Sequence, residues 1–378
     1  MNSKIWLSSP HMGGAERQFV TEAFDTNWVA PLGPNVNGLE KDIASFLNDG
    51  SYVTALSSGT AAIHLALVIL GVEAGDEVIC QSMTFSASAN PIRYLGAIPI
   101  FIDSEERTWN MDPVLLEEAI KDRIAKGKKP KVIIPVHLYG MPASMIEIMA
   151  IATKYEIAVV EDAAEALGSS IDGQMCGTFG DIGILSFNGN KIITTSGGGA
   201  MISKNENFIN KATFLATQAR DPAPHYEHSH IGYNYRMSNI CAGIGRGQME
   251  VISKRVKERR RNFLFYEESF GDISGISMLQ EPNGFISNRW LTTILVNPKK
   301  TGGISREDIR IFLERDNIES RPLWKPMHMQ PVFKNFPYFG GGVSEELFDL
   351  GLCLPSGSNL TQMDLERVVQ NLKKVCIN

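Results

Sequence analysis

Short runs of aliphatic and β-branched residues alternate with segments of helical period through the first two-thirds of the chain. YVTAL (52–56) reads as a buried strand; at Ser57, Ser58 and Gly59 the period changes to that of a helix carrying Ile63, Leu65, Ala66 and Ile69. EVICQS (77–82), IPIFID (98–103), KVIIPVHLYG (131–140) and IAVVEDAA (157–164) predict further strands, each followed by a helix-length segment. Continuous apolar runs belong to strands covered on both faces, so the expected fold is α/β, a largely parallel sheet between layers of helices. GILSF (183–187) and GAMISK (199–204) leave no room for a helix between them and predict a hairpin, or a strand pair antiparallel to the rest.

Near residue 250 the pattern changes. A long charged helix, SKRVKERRRNFLFYEESF, leads through a loop rich in Gly, Pro and Asn to the strand candidate WLTTILV (290–296). A helix from about Ser305 and a closing helix from about Thr361 follow. The expected division is a large α/β domain over 1–250 and a smaller α+β domain over 251–378.

Composition narrows the class. The chain has 378 residues, 43% apolar and 21% charged, enough for two domains at roughly 150 residues each. Thirty-six Lys and Arg against 42 Asp and Glu leave a net charge of -6, which argues against nucleic acid or an anionic membrane as the main partner. The basic run at 254–261 is interrupted by Glu258 and reads as a solvated helix face. The opening MNSKIWLSSP has no apolar core of a secretory signal, and the richest apolar stretch, 65–72, is too short to span a bilayer. Cysteines 80, 176, 241, 353 and 376 form no close pair, which suits reduced thiols. A cytoplasmic enzyme is the expectation.

Three segments at strand ends carry candidate chemistry. In SSGTAAIHLAL a strand gives way to Ser57-Ser58-Gly59-Thr60 and a helix, whose free amides and hydroxyls can cradle a phosphate or carboxylate; the same residues are also ordinary helix caps. No Walker lysine accompanies them, so nucleotide hydrolysis is not indicated. Asp162 ends the strand of VVEDAAEALG, where a partly buried carboxylate needs a cationic partner, or else caps the next helix. Lys191 lies in a turn in SFNGNKIITTSGGGA, either at the surface or projecting into the same cleft to form a Schiff base. Lysine, aspartate and anion cradle together fit pyridoxal phosphate far better than any of them does alone.

These segments, with EDAAEALGS, GYNYRMSN and RPLWKPMH, occur in the order and spacing of the sugar-nucleotide aminotransferases of the DegT/StrS family, which the chain resembles over almost its whole length. SPHMGG, NWVAPLGP, SFNGNK and SNRW are especially similar to the members that aminate UDP-4-keto-6-deoxy-N-acetylglucosamine on the route to bacillosamine. The resemblance implies an aspartate-aminotransferase-like fold and a homodimer with shared active sites. It implies pyridoxal 5'-phosphate on Lys191, passing through pyridoxamine phosphate, with Asp162 on the ring nitrogen and Phe85 stacked on the ring; a core phenylalanine is the competing reading of Phe85. Ser58, Gly59, Thr60 and Ser186 would hold the phosphate, together with Asn234 of the other subunit. Glu165 falls near the cofactor's phenolic oxygen, where many relatives carry glutamine. Asn27, Trp28, Ala30, Lys325 and His328 match sugar-nucleotide positions, against a packing role for Trp28 and a surface charge at Lys325. Glutamate is the implied amino donor.

Two rivals compete with this reading. A pyridoxamine-dependent dehydratase of this family would replace the lysine by histidine, and a non-catalytic cofactor-binding regulator would not require Lys191, Asp162 and Ser186 together. Other keto sugars, dTDP-linked or 3-keto, remain open as substrates. His225, His228 and His230 lack a fourth ligand of suitable spacing and are read as a loop at the entrance, with no metal expected. His64 is read as a satisfied core or interface histidine.

Overall fold

The computed structural model describes residues 2–376. At its centre is an eight-stranded sheet. In chain order the strands are β1 (Tyr52–Leu56), β2 (Glu77–Gln81), β3 (Ile98–Ile102), β4 (Val132–Ile134), β5 (Ala158–Asp162), β6 (Ile182–Ser186), β7 (Gly199–Ser203) and β8 (Tyr338–Phe339). In space they run β1-β7-β6-β5-β4-β2-β3-β8. Neighbours pair in parallel except at β7, which is antiparallel to both β1 and β6. Of the two closely spaced runs, therefore, only the second reverses; β6 runs with β5.

Alternate strand residues feed the two layers of core, as the pleat requires. Val78, Cys80, Val132, Ile134 and Val160 pack into one cluster, Ile79, Ile100, Ile133 and Val159 into the other. Being covered on both sides, these strands carry no polar alternation. The expected strand at 131–140 stops at Ile134, because Pro135 has no amide to continue the ladder. Only the bridge Val136–Asp162 prolongs it before the tight turn at Leu138–Gly140.

After the helix Ile252–Phe270 comes a four-stranded antiparallel sheet, ordered Ile276–Met278, Thr292–Val296, Gly351–Leu354, Arg321–Pro322. Ser305 and Asp308 form a reciprocal capping box for the helix Arg306–Arg315, and Thr361 and Asp364 cap Gln362–Cys376 in the same manner. The amino-terminal Ile5 bridges Ile318 and joins the small core, whereas β8 crosses back to the large sheet. On this grouping we propose the boundary near 250, with 251–378 as the smaller unit. Among the described residues no helix is long and apolar enough to cross a membrane.

Candidate active site

The register across β1, β7 and β6 brings the first candidates together. Gly199 stands opposite Leu56 on one side and Ser186 on the other, so the ends of β1 and β6 share one row. The chain leaving β1 becomes the helix Gly59–Ile69, with Ser58 as N-cap: its Oγ accepts the Ala61 amide at 3.0 Å. The amides of Gly59 and Thr60 precede the first intrahelical bonds and face the ends of the neighbouring strands. A Cβ on Gly199 would stand 2.4 Å from Gly59 N and 2.7 Å from Ser58 O, so only glycine lets β7 lie this close beneath the helix start. The unpaired amides at a helix start of this kind can receive an anion.

Ser58, Gly59, Thr60, Phe85, Asp162, Glu165, Ser186 and Lys191 all line one cavity of about 590 Å³ between the large sheet and the small unit. Asp162, at the end of β5, is buried. Its Oδ2 accepts the Ser88 hydroxyl at 2.6 Å and its Oδ1 the Ala164 amide at 3.2 Å. Among the described residues no basic side chain pairs with it, so a buried carboxylate in the cavity wall is met by neutral donors alone. That arrangement suits a ligand that brings its own N–H cation, as a pyridinium does.

Lys191 sits in the turn between β6 and β7. Its Nζ lies 3.2 Å from Glu165 Oε1 and 4.1 Å from the centre of the Trp290 ring. Burial pushes the Glu165 carboxyl up to about 7, against the pull of Lys191. The other Glu165 oxygen takes the Tyr139 amide at 2.7 Å. Tyr139 has φ 54, and its hydroxyl accepts the Trp324 amide at 2.8 Å. Phe85 is 56% exposed, its ring 5.5 Å from that of Trp324, which removes the core reading and leaves an aromatic face open to the cavity.

Glu161, next to Asp162, points to the opposite face of β5 as alternation demands. It meets His137 Nε2 at 2.7 Å and accepts the amides of Gly177, Phe179 and Gly180. Because His137 Nδ1 accepts the Ala143 amide, Nε2 carries the proton and donates to Glu161. With Cys176 these groups form the one cluster of metal-ligand type among the described residues; the bonds of His137 and Glu161 tie the segments at 137–143 and 177–180 to β5.

Other expected residues stand outside the cavity wall. Asn234 is exposed and bridges Thr217. Asn27 and Trp28 are exposed, while the carbonyls of Trp28 and Ala30 are tied to Asn239. Lys325 is half-buried; His328 bonds Ser82 and Glu345 and stacks on Tyr338. His225, His228 and His230 are exposed on one loop, engaging Glu227, the Gln218 carbonyl and Ser229 respectively. His64 is buried against Tyr94, Tyr233 and Tyr235. Sequence reasoning gave no role to Ser88, Tyr139, Trp290, Trp324 or Arg321. Trp290 and Trp324 lie in SNRW and RPLW, so their signal was visible, but only the fold aims them at Lys191 and Phe85.

The family model of the DegT/DnrJ/EryC1/StrS aminotransferases matches residues 10–373. EpsN of Bacillus subtilis (strain 168), named provisionally as a pyridoxal phosphate-dependent aminotransferase, is 50% identical over 98% of this chain and 96% of its own. A GDP-perosamine synthase of Caulobacter vibrioides is 35% identical, covering 99% of each. A UDP-N-acetyl-3-dehydro-alpha-D-glucosamine 3-aminotransferase of Acidithiobacillus ferrooxidans is 32% identical over 91% of this chain and 89% of its own. Among solved structures, the PLP form of Spr1654 from Streptococcus pneumoniae, provisionally named a sugar aminotransferase, superposes with a TM-score of 0.90 at 27% identity, covering 99% of each chain.

Proposed function

This chain belongs to the DegT/DnrJ/EryC1/StrS aminotransferase family of pyridoxal phosphate-dependent sugar aminotransferases, and from that premise we propose that it transfers the amino group of glutamate to the 4-keto carbon of a UDP-4-keto-6-deoxy-N-acetylhexosamine. The product is a 4-amino-4,6-dideoxy sugar nucleotide for glycan or polysaccharide synthesis. The observation that carries the reading is the convergence of Lys191, Asp162 and the Ser58-Gly59-Thr60 cradle on one cavity.

Pyridoxal phosphate, when bound, carries the amino group between donor and acceptor and takes up the electron pair left as a proton departs. Lys191 would hold the cofactor through Nζ and, when not so engaged, would hold and move a proton at that nitrogen, as base and then as acid. Asp162 would pair with the cofactor's ring nitrogen and keep it protonated. Gly59, Thr60, Ser58 and Ser186 would bind the phosphate, with Asn234 supplied by the second subunit of a homodimer, and Phe85 would cover the ring. Glu165, already accepting a hydrogen bond from Lys191, orients Nζ. Asn27, Trp28, Ala30, Lys325 and His328 are assigned to the sugar nucleotide, with Lys325 at the diphosphate.

The UDP-4-keto assignment rests on the likeness of SPHMGG, NWVAPLGP and RPLWKPMH to that subgroup. A second reading, another keto sugar nucleotide, is favoured by the likeness to a GDP-perosamine synthase and to a UDP-sugar 3-aminotransferase. The test is incubation with glutamate and a panel of UDP-, GDP- and dTDP-linked 4-keto and 3-keto sugars, read by product mass and NMR. The expected product is the UDP-linked 4-amino sugar. A clear preference for another nucleotide or for a 3-keto sugar overturns the substrate and leaves the aminotransferase standing.

A further inference from the structure

Among the described residues the cavity wall holds two cations, Lys191 and Arg321. Lys191 is engaged by Glu165 and Trp290 and, in the reading above, by the cofactor. Arg321 stands on the short edge strand Arg321–Pro322, whose pairing with Cys353 and Leu352 sets its place on the wall formed by the small unit. Its Nε and Nη2 both donate to Glu319 Oε1, at 3.1 and 3.0 Å. The second Glu319 oxygen accepts the Leu7 amide at 3.1 Å. Glu319 is thus anchored by main chain and in turn holds the guanidinium in a fixed direction. Two of the five N–H donors of an arginine are engaged in this way, and the side chain is 68% exposed.

The chemistry of the site makes that free edge consequential. Asp162, Glu165 and Glu319 place three carboxyl groups in the same wall, while both substrates of an aminotransferase acting on sugar nucleotides are anions. An amino-acid donor has carboxylates and the acceptor a diphosphate. An anion entering such a cavity needs a cation to offset its desolvation, and a planar fork meets carboxylate or phosphate through two parallel bonds. A surface ion pair of Arg321 with Glu319 alone would contribute little to folding.

We propose that Arg321 docks the anionic end of a substrate, a carboxylate or a phosphate, at the mouth of the cavity, with Glu319 as the positioning residue that aims it. The inference rests on the aminotransferase reading. It is tested with pyridoxal phosphate-loaded wild type, Arg321→Ala and Arg321→Lys. In one arm glutamate is varied and the change in cofactor absorbance is followed in single turnovers; in the other, UDP alone is titrated by calorimetry.

Arg321→Ala should weaken glutamate, UDP or both by about 10- to 100-fold, the loss of a charge-assisted contact, and the affected arm identifies the anion. The limiting rate at saturation should hold, because the contact is made equally before and during the chemistry. Arg321→Lys should recover only part of the loss, keeping the charge without the fork. Wild-type behaviour of Arg321→Ala in both arms overturns the proposal and leaves the aminotransferase reading intact. Weakening accompanied by a lowered melting temperature and lost cofactor also overturns it, by assigning Arg321 to the fold. A wild-type enzyme whose cofactor glutamate leaves unchanged overturns the aminotransferase reading and the proposal together.

Discussion

Asp162 lies buried with only the Ser88 hydroxyl and the Ala164 amide as donors, so the charge it presents to the cavity is balanced by no basic side chain among the described residues. Asp162→Asn should keep fold and cofactor yet slow both half-reactions on the order of a hundredfold, because an amide cannot hold a proton on the ring nitrogen. Stopped-flow absorbance measures this; near-normal rates would show that another group serves the ring. Glu165 offers a test in pH. Burial raises it from the ordinary 4.5 to about 7, so over that window the folded chain keeps a proton that the unfolded chain has released. Stability due to that proton is complete below the lower value and lost as pH rises through the upper one. Glu165→Gln does not titrate, so in the apo protein it should gain on wild type as pH rises through the window. Urea unfolding at about pH 5 and about pH 7.5 reads the gap, and a constant gap contradicts the account. The residue identities at Lys191 and Asp162 were legible in sequence. The company they keep was not, because Trp290 and Glu165 reach Lys191 from 99 and 26 positions away along the chain.

At the scale of elements, most strands could be read directly, since segments buried on both faces show as unbroken apolar runs. Two departures have physical causes: Pro135 ends β4, and β6 stays parallel while β7 alone reverses. In the observed order β7 lies between β1 and β6, and its register sets Gly199 under the start of the helix Gly59–Ile69. Gly199→Ala would bring a methyl to 2.4 Å from Gly59 N, so strand and helix start must part. The expected result is a loss of about 1–3 kcal/mol of stability and a weaker hold on pyridoxal phosphate, read by thermal melts and by cofactor titration. Wild-type cofactor affinity in this variant would mean that the helix start does not carry the phosphate.

For the whole molecule, the residues inferred from resemblance divide by location. The cofactor candidates other than Asn234 meet in one cavity, whereas Asn234, Asn27 and Trp28 lie exposed outside it. Spacing alone gave these positions no common place, because contacts between residues far apart in the chain leave no periodic mark in the sequence. If Asn234 reaches the partner's phosphate, mixing an Asn234→Ala enzyme with a Lys191→Ala enzyme should restore activity: one site of the hybrid dimer collects both defects and the other escapes them. Activity assays after verified subunit exchange decide this, and no recovery would mean that each site is completed within one chain.

The central claim is that the cavity binds pyridoxal phosphate through Lys191, and the most direct measurement is borohydride reduction of the holoenzyme followed by peptide mapping. A reduced pyridoxyl group on Lys191, absent when glutamate is added before the reductant, is the result predicted. Label on any other lysine, or none at all on a protein carrying the cofactor, would contradict it.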